Sequence, residues 1–140
     1  MDYKEILLNM ENEEGFFNHN NFSIVEATDD NLIIRANLTN NSMNPYGFAH
    51  GGLIFGLGDT VMGMIARTTG RYAVTLDANI TYHRRGCGKY LTAKGELIKS
   101  GKTICSARAY IYDDQEKLVA TMSSNYYYVD LDKGKKDEYE

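Results

Sequence analysis

A chain of 140 residues with 43% hydrophobic and 24% charged residues has the size of one globular domain, expected over 1–140, with a core of its own. A net charge of −4 disfavours nonspecific nucleic-acid binding, and nowhere do 18 apolar residues run together as a membrane span requires. The opening Met1-Asp2-Tyr3-Lys4-Glu5 has neither a cationic leader nor an apolar stretch, so a cytoplasmic protein is expected.

Asp2 and Glu5 stand in a capping-box relation, and Tyr3, Ile6, Leu7 and Met10 follow at i, i+3, i+4, i+7, which predicts a short helix over 2–11. Segments 22–28 and 32–38 read as strands joined by the turn composition Asp29-Asp30-Asn31. A polar loop over 39–46 holds the only proline. From Gly51 to about Thr69, the residues Leu53, Ile54, Phe55, Leu57, Val61, Met62, Met64, Ile65 and Ala66 recur too closely for a surface helix. A helix that is apolar nearly all round is wrapped by something. Its remaining stripe is narrow: Gly52, Gly56, Asp59 and Gly63 fall within about 60° of one another at 100° per residue. Each interior glycine costs about 1 kcal/mol of helix propensity relative to alanine, so the stripe predicts the close approach of another backbone.

After Gly70 the period becomes two, with Val74, Leu76, Ala78, Ile80 and Tyr82 on one face and Thr75, Asp77, Asn79, Thr81 and His83 on the other. Gly86-Cys87-Gly88 marks a turn, and 89–100, 102–112 and 118–129 read as three further strands. The class is therefore α+β: a helix, two strands, a long buried helix, and a four-strand antiparallel meander, packed as one sheet curled round one helix. The acidic and basic tail over 130–140 is expected to fray. Cys87 and Cys105 lack CxxC spacing and nearby histidine pairs, which fits a reduced compartment and assigns them no chemistry. Between Arg71 and Arg108 there are eight Lys/Arg and two acids, a local +6 that leaves −10 for the remainder. An acidic protein with a basic middle suits a small polyanionic ligand better than DNA.

The chemistry gathers at the mouth of the long helix. Gly51 and Gly52 open it, where the first amides lack intrahelical partners and the macrodipole presents about +0.5 charge. A ligand can reach a glycine amide without meeting a Cβ, and Asn44 and His50 flank the place; each has a plain structural alternative, an Asx turn for Asn44 and a helix cap for His50. Asp59, taken as buried and unpaired, is a general-base candidate. Gly51 and Asp59 are eight residues apart, about 12 Å of helix at 1.5 Å per residue, so one carbonyl cannot touch both within one chain. If both act on one substrate, the carboxylate comes from a second copy, which implies an isologous dimer with two sites.

Asn44-x-x-Gly47-x-x-His50-Gly51-Gly52, Asp59 nine residues after the histidine, and Leu76-Asp77-Ala78-Asn79-Ile80-Thr81-Tyr82 together resemble the hotdog-fold acyl-CoA thioesterases of the phenylacetate-degradation (PaaI-like) type. The resemblance runs from about Thr39 to Val129. It implies a curved antiparallel sheet round a central helix, homodimers often paired into tetramers, and hydrolysis of acyl-CoA without metal or organic cofactor. It further implies that Asp59 activates or replaces water, that the Gly51 amide polarises the thioester carbonyl, and that Asn44 holds the carbonyl or the water. His50 would order the loop and Thr75 would help place the water. Arg84 and Arg85 after the long strand, and Lys99, Gly101 and Lys102 at a later turn, resemble positions where relatives meet the CoA phosphates. Relatives tend to carry Leu-Ala-Asp where this chain has Leu57-Gly58-Asp59, a looser helix beside the carboxylate.

Other motifs are weaker. Gly56-Leu57-Gly58 lacks the third glycine of a dinucleotide loop, His19, His50 and His83 have no i, i+4 zinc pairing, and no Gly-x-Ser-x-Gly elbow occurs. A non-catalytic acyl-CoA-binding or regulatory module could use the same fold, with Asp59 serving only packing. A hotdog hydratase would need a His paired with an acid in other sequence surroundings.

Overall fold

The computed structural model describes residues 15–28 and 31–130, together with Glu5 and Asn9. Of the helix expected over 2–11 only those two are described, both helical; Asp29, Asp30 and the tail beyond 130 lie outside the described residues. The elements are α1 (Phe16–His19), β1 (Phe22–Ala27), β2 (Leu32–Asn37), a 3-10 turn (Asn40–Ser42), α2 (Gly51–Arg67), β3 (Tyr72–Tyr82), β4 (Tyr90–Ser100), β5 (Ile104–Asp113) and β6 (Leu118–Val129). The short helix α1 is absent from the expectations above.

The strands form one antiparallel sheet in the order β1-β2-β4-β5-β6-β3. The expected four-strand meander is thus only partly correct. β4, β5 and β6 follow one another, but β3 pairs with β6 and the chain crosses to reach β4 beside β2. A run of alternating residues fixes a strand's faces and says nothing of its neighbours, and the helix that precedes β3 delivers it to the far edge.

The sheet curls round α2, whose Leu53, Ile54, Leu57, Val61, Met62, Met64 and Ala66 are buried. Small residues on the concave side, Ala93, Gly95, Ala107, Ala109 and Ala120, let the helix settle close. A Cβ on Gly95 would stand 3.2 Å from both Val61 Cγ2 and the Val61 carbonyl. The helix closes with the Thr68 and Thr69 hydroxyls on the carbonyls of Ile65 and Ala66, then Gly70 at φ 86°, a left-handed turn that favours glycine. Leu57 is 0% exposed at the centre of this packing. Leu57→Ala is expected to cost about 2–5 kcal/mol, read as a lower urea midpoint at unchanged slope.

The glycines of α2 make room for side chains rather than for another backbone, which corrects the reading of the stripe. A Cβ on Gly56 would lie 2.7 Å from Phe16 Cζ, and one on Gly52 would lie 3.0 Å from His50 Nδ1. Gly63 faces the Tyr126 ring. The tightest site is Gly58, off the stripe, where the sulfur of Met122 occupies the space an alanine methyl would take. The helix is thus fitted to a methionine on β6 at the residue before Asp59.

Candidate active site

The period-two pattern of β3 puts Thr75 on the face opposite Tyr82, yet the two share a face. The register passes from Thr75↔Tyr126 to Asp77↔Asn125, so Leu76 is an extra residue in the ladder, a β-bulge. The bulge reverses the alternation: Ala78 and Ile80 are half-buried, whereas Val74 and Leu76 are 49% and 55% exposed. Asp77 holds the bulge, its carbonyl accepting from Ser124 Oγ at 2.7 Å and its carboxylate from Asn125 Nδ2 at 3.0 Å. The expected single apolar face over 74–82 is corrected accordingly.

The bulge aims Thr75 at the helix, where its hydroxyl donates to Asp59 Oδ1 at 2.9 Å. A second hydroxyl reaches the same oxygen: Tyr126 lies 2.7 Å from Asp59 Oδ1 and 2.9 Å from the Asp59 carbonyl. Asp59 is therefore neither fully buried nor unpaired, as the sequence had suggested; it is half-buried with Oδ1 held twice. Oδ2 has no hydrogen-bond partner among the described residues. Burial, then the hydrogen bond and charge of Asp59, push the Tyr126 hydroxyl well above its ordinary range, so it remains a donor at any working pH. Tyr126 is not among the site residues expected from the sequence. Its signal is the cross-strand register with Thr75, which the strand pattern alone does not reveal. Tyr126→Phe is expected to lower the rate of any reaction that uses Asp59 by roughly tenfold, measured as kcat, with a lower thermal midpoint from the lost hydroxyl bonds.

At the helix mouth, His50 is the N-cap: its Nδ1 accepts from Gly52 N–H at 2.8 Å and its own N–H donates to the Ser42 carbonyl at 2.8 Å. Nδ1 as acceptor leaves the proton of a neutral ring on Nε2. Asn44 Oδ1 accepts from Tyr46 N–H at 3.0 Å and Phe48 N–H at 3.1 Å, which closes the loop and leaves its NH₂ without a hydrogen-bond partner among the described residues. Both plain alternatives, cap and Asx turn, are thus realised, without using every polar atom of either side chain. The Gly51 N–H has no acceptor among the described residues. The Tyr82 hydroxyl donates to the Gly51 carbonyl at 2.8 Å, and burial raises its pKa.

A cleft of about 390 Å³ opens here, lined by Asn44, Phe48, Gly51, Ile54, Tyr82, Arg84 and Arg85 among others. Of the expected site residues it gathers Asn44, Gly51, Arg84 and Arg85; His50, the helix cap, is exposed and not part of its lining. The Arg85 guanidinium stacks 4.5 Å from the Phe48 ring centroid. Asp59 and Thr75 lie about 12 Å further along the helix and outside this cleft. Lys99, Gly101 and Lys102 are more distant still. Arg84 N–H donates to the Val119 carbonyl at the start of β6, and Tyr128 at its other end bonds the Thr103 carbonyl. Nine strand residues, roughly 30 Å, separate those ends. The second basic group is fixed there by Arg71, whose Nη1 donates to the Lys102 carbonyl at 2.7 Å while its guanidinium covers Tyr128. One chain does not bring the two basic groups together.

Cys87 is exposed, Cys105 is buried in β5, and both are free thiols. Among the described residues no three His, Cys, Asp or Glu side chains converge as a metal site would require, and no helix is long and apolar enough to cross a membrane.

Known proteins share this architecture. Over 91% of this chain and 94% of the other, the fold matches the PaaI protein from the phenylacetic acid degradation operon of E. coli, with a TM-score of 0.86 at 21% identity. A hypothetical thioesterase from Streptococcus pneumoniae TIGR4, solved with coenzyme A, is 30% identical over 78% of this chain and 86% of its own, with a TM-score of 0.73. A Streptococcus mutans UA159 protein bound to acetyl-CoA is 29% identical over 84% of this chain and 94% of its own, with a TM-score of 0.76. Curated protein sequences give no match. The thioesterase superfamily model matches residues 46–120, from the loop before the helix mouth to the start of β6. That match spans more than half of the sequence, and the chain belongs to the thioesterase superfamily, with the hotdog fold.

Proposed function

We propose that the protein hydrolyses acyl-CoA thioesters at sites shared between two copies of the chain. The observation that carries this reading is the carboxylate of Asp59, with one oxygen held by two hydroxyls, about 12 Å along the helix from the Gly51 amide, the other carboxylate oxygen and the amide both without a partner among the described residues. The coenzyme A and acetyl-CoA bound by two structural relatives support the substrate class.

The edge of the sheet supplies the means of bringing the two together. β3 is an 11-residue edge strand with exposed Val74, Leu76 and Tyr82, a template for pairing with another chain. Antiparallel pairing of β3 with its own copy, centred on Asn79 and leaving Leu76 bulged, sets Ala78 against Ile80, Asp77 against Thr81 and Thr75 against Tyr82. Each pair then lies on one face, as the pleat requires. Thr75 carries Asp59 and Tyr82 carries Gly51, so this register brings the carboxylate of one protomer to the amide of the other. It also brings Lys99, Gly101 and Lys102 of one copy toward Arg84 and Arg85 of the other, an arrangement suited to the CoA phosphates. A dimer of dimers is the further assembly the reading includes.

In the reaction, the thioester carbonyl accepts from the Gly51 N–H, and the Asn44 NH₂ stands beside it. Asp59 Oδ2 takes a proton from water as the water oxygen bonds to the acyl carbon. The C–S bond then breaks, the CoA thiolate takes the proton held by Asp59 and leaves as the thiol, and the free acid departs with the carboxylate restored. No metal or organic cofactor takes part in this scheme. A cytoplasmic location fits two free thiols.

Thiol release from a panel of short, medium, long and aryl acyl-CoAs tests the proposal, with turnover of at least one ester expected. Saturable binding of CoA esters without turnover of any would make the chain a binding module instead.

A further inference from the structure

The Gly51-Gly52 pair combines two of the least restrained residues in a chain at the point where a single amide must be aimed. The peptide unit between them is gripped on both sides: its carbonyl accepts from the Tyr82 hydroxyl at 2.8 Å and its N–H donates to His50 Nδ1 at 2.8 Å. The two groups point in opposite directions from one trans peptide, so any rotation of that plane breaks both bonds at once. The preceding peptide is held separately, its His50 carbonyl accepting from Leu53 and Ile54 N–H at 2.9 and 3.1 Å. Gly51 therefore sits between two fixed planes.

The clamping side chains occupy the space left by the missing Cβ atoms. A Cβ on Gly51 would stand 3.2 Å from the Tyr82 hydroxyl, and one on Gly52 would stand 3.0 Å from His50 Nδ1. The grip also sorts the two amides. Gly52 N–H is consumed by His50, whereas Gly51 N–H, at the cleft, has no acceptor among the described residues.

From this geometry we infer that Tyr82 is a positioning residue for carbonyl polarisation, locking the Gly51-Gly52 peptide together with His50 so that the Gly51 N–H alone faces the substrate. This rests on the thioesterase reading of the site. Tyr82 acts through the backbone: its hydroxyl is committed to the Gly51 carbonyl, and it touches no reacting atom. Its placement on β3, at the position paired with Thr75 of the other copy in the register above, ties the aim of the amide to the strand that builds the dimer.

Tyr82→Phe keeps the ring and removes only the donor. The expected result is a fall in kcat of roughly tenfold with KM for acyl-CoA unchanged. Backbone ¹⁵N relaxation should at the same time show the Gly52 order parameter dropping from the rigid range near about 0.85 toward about 0.6. A kcat within twofold of wild type, with or without the change in order parameter, overturns the positioning role. So does a rise in KM that matches the fall in kcat, which would make Tyr82 a substrate contact. Should wild type hydrolyse no ester, the thioesterase reading falls by itself, and the Gly52 order parameter in Tyr82→Phe still decides the clamp, an unchanged value ruling it out.

Discussion

Asparagine in place of Asp59 is expected to lower kcat by about a thousandfold, within the range general bases contribute, while leaving the fold and its state of association unchanged. The reason lies in how the carboxylate is held. Thr75 and Tyr126 both donate to Oδ1, and the amide oxygen of asparagine can accept the same two bonds. What is lost is the other oxygen, replaced by an NH₂ that cannot take a proton from water. The substitution thus separates chemistry from packing, which an alanine would not do. Thiol release, sedimentation and a thermal melt on the same preparation give the answer. An Asn variant with more than a tenth of wild-type activity would remove Asp59 from the reaction.

A mixture of two inactive variants should recover activity that neither has alone. Gly51→Pro deletes the amide proton at the first helical position, where proline is tolerated; the Tyr82 hydroxyl has to give by a few tenths of an ångström. Asp59→Asn keeps that amide and loses the base. In a heterodimer of the two, one site receives both defects and the other receives neither. Random reassortment makes half the dimers heterodimers with one sound site of two, so about a quarter of wild-type activity is expected. Refolding the variants together and separately, then assaying thiol release, measures it. No recovery in the mixture, with heterodimers present by mass, would place Gly51 and Asp59 in independent sites and end the shared-site proposal.

Much of the framework could be read before any coordinates. β6 runs over 118–129 as the pattern predicted, and α2 starts at Gly51 as its capping sequence required. Periodicity and helix-end chemistry are local properties, and these elements follow from local properties. Three features depend on which strands become neighbours. The pairing of β3 with β6 replaces the meander; the bulge at Leu76 turns Thr75 inward; and Tyr126 meets Asp59 only because β6 lies between β5 and β3. The glycine stripe misled for a related reason. It identified where something approaches α2, but Phe16, His50 and Tyr126 fill those places from segments whose position a helical wheel does not encode. The plain alternatives read for His50 and Asn44, a helix cap and an Asx turn, are both present, and the structure adds which atoms of each are spent on the loop.

The exposed edge of β3 also bears on how this protein would lose activity and solubility. An edge strand of that length, with Val74 and Leu76 facing solvent, can template pairing with a foreign strand as well as with its own copy. If the pairing that hides it also builds the catalytic sites, dilution or a substitution at the edge removes both protections together. The molecule that stops working is then the one most prone to aggregate, so loss of function and loss of solubility would arrive as one event.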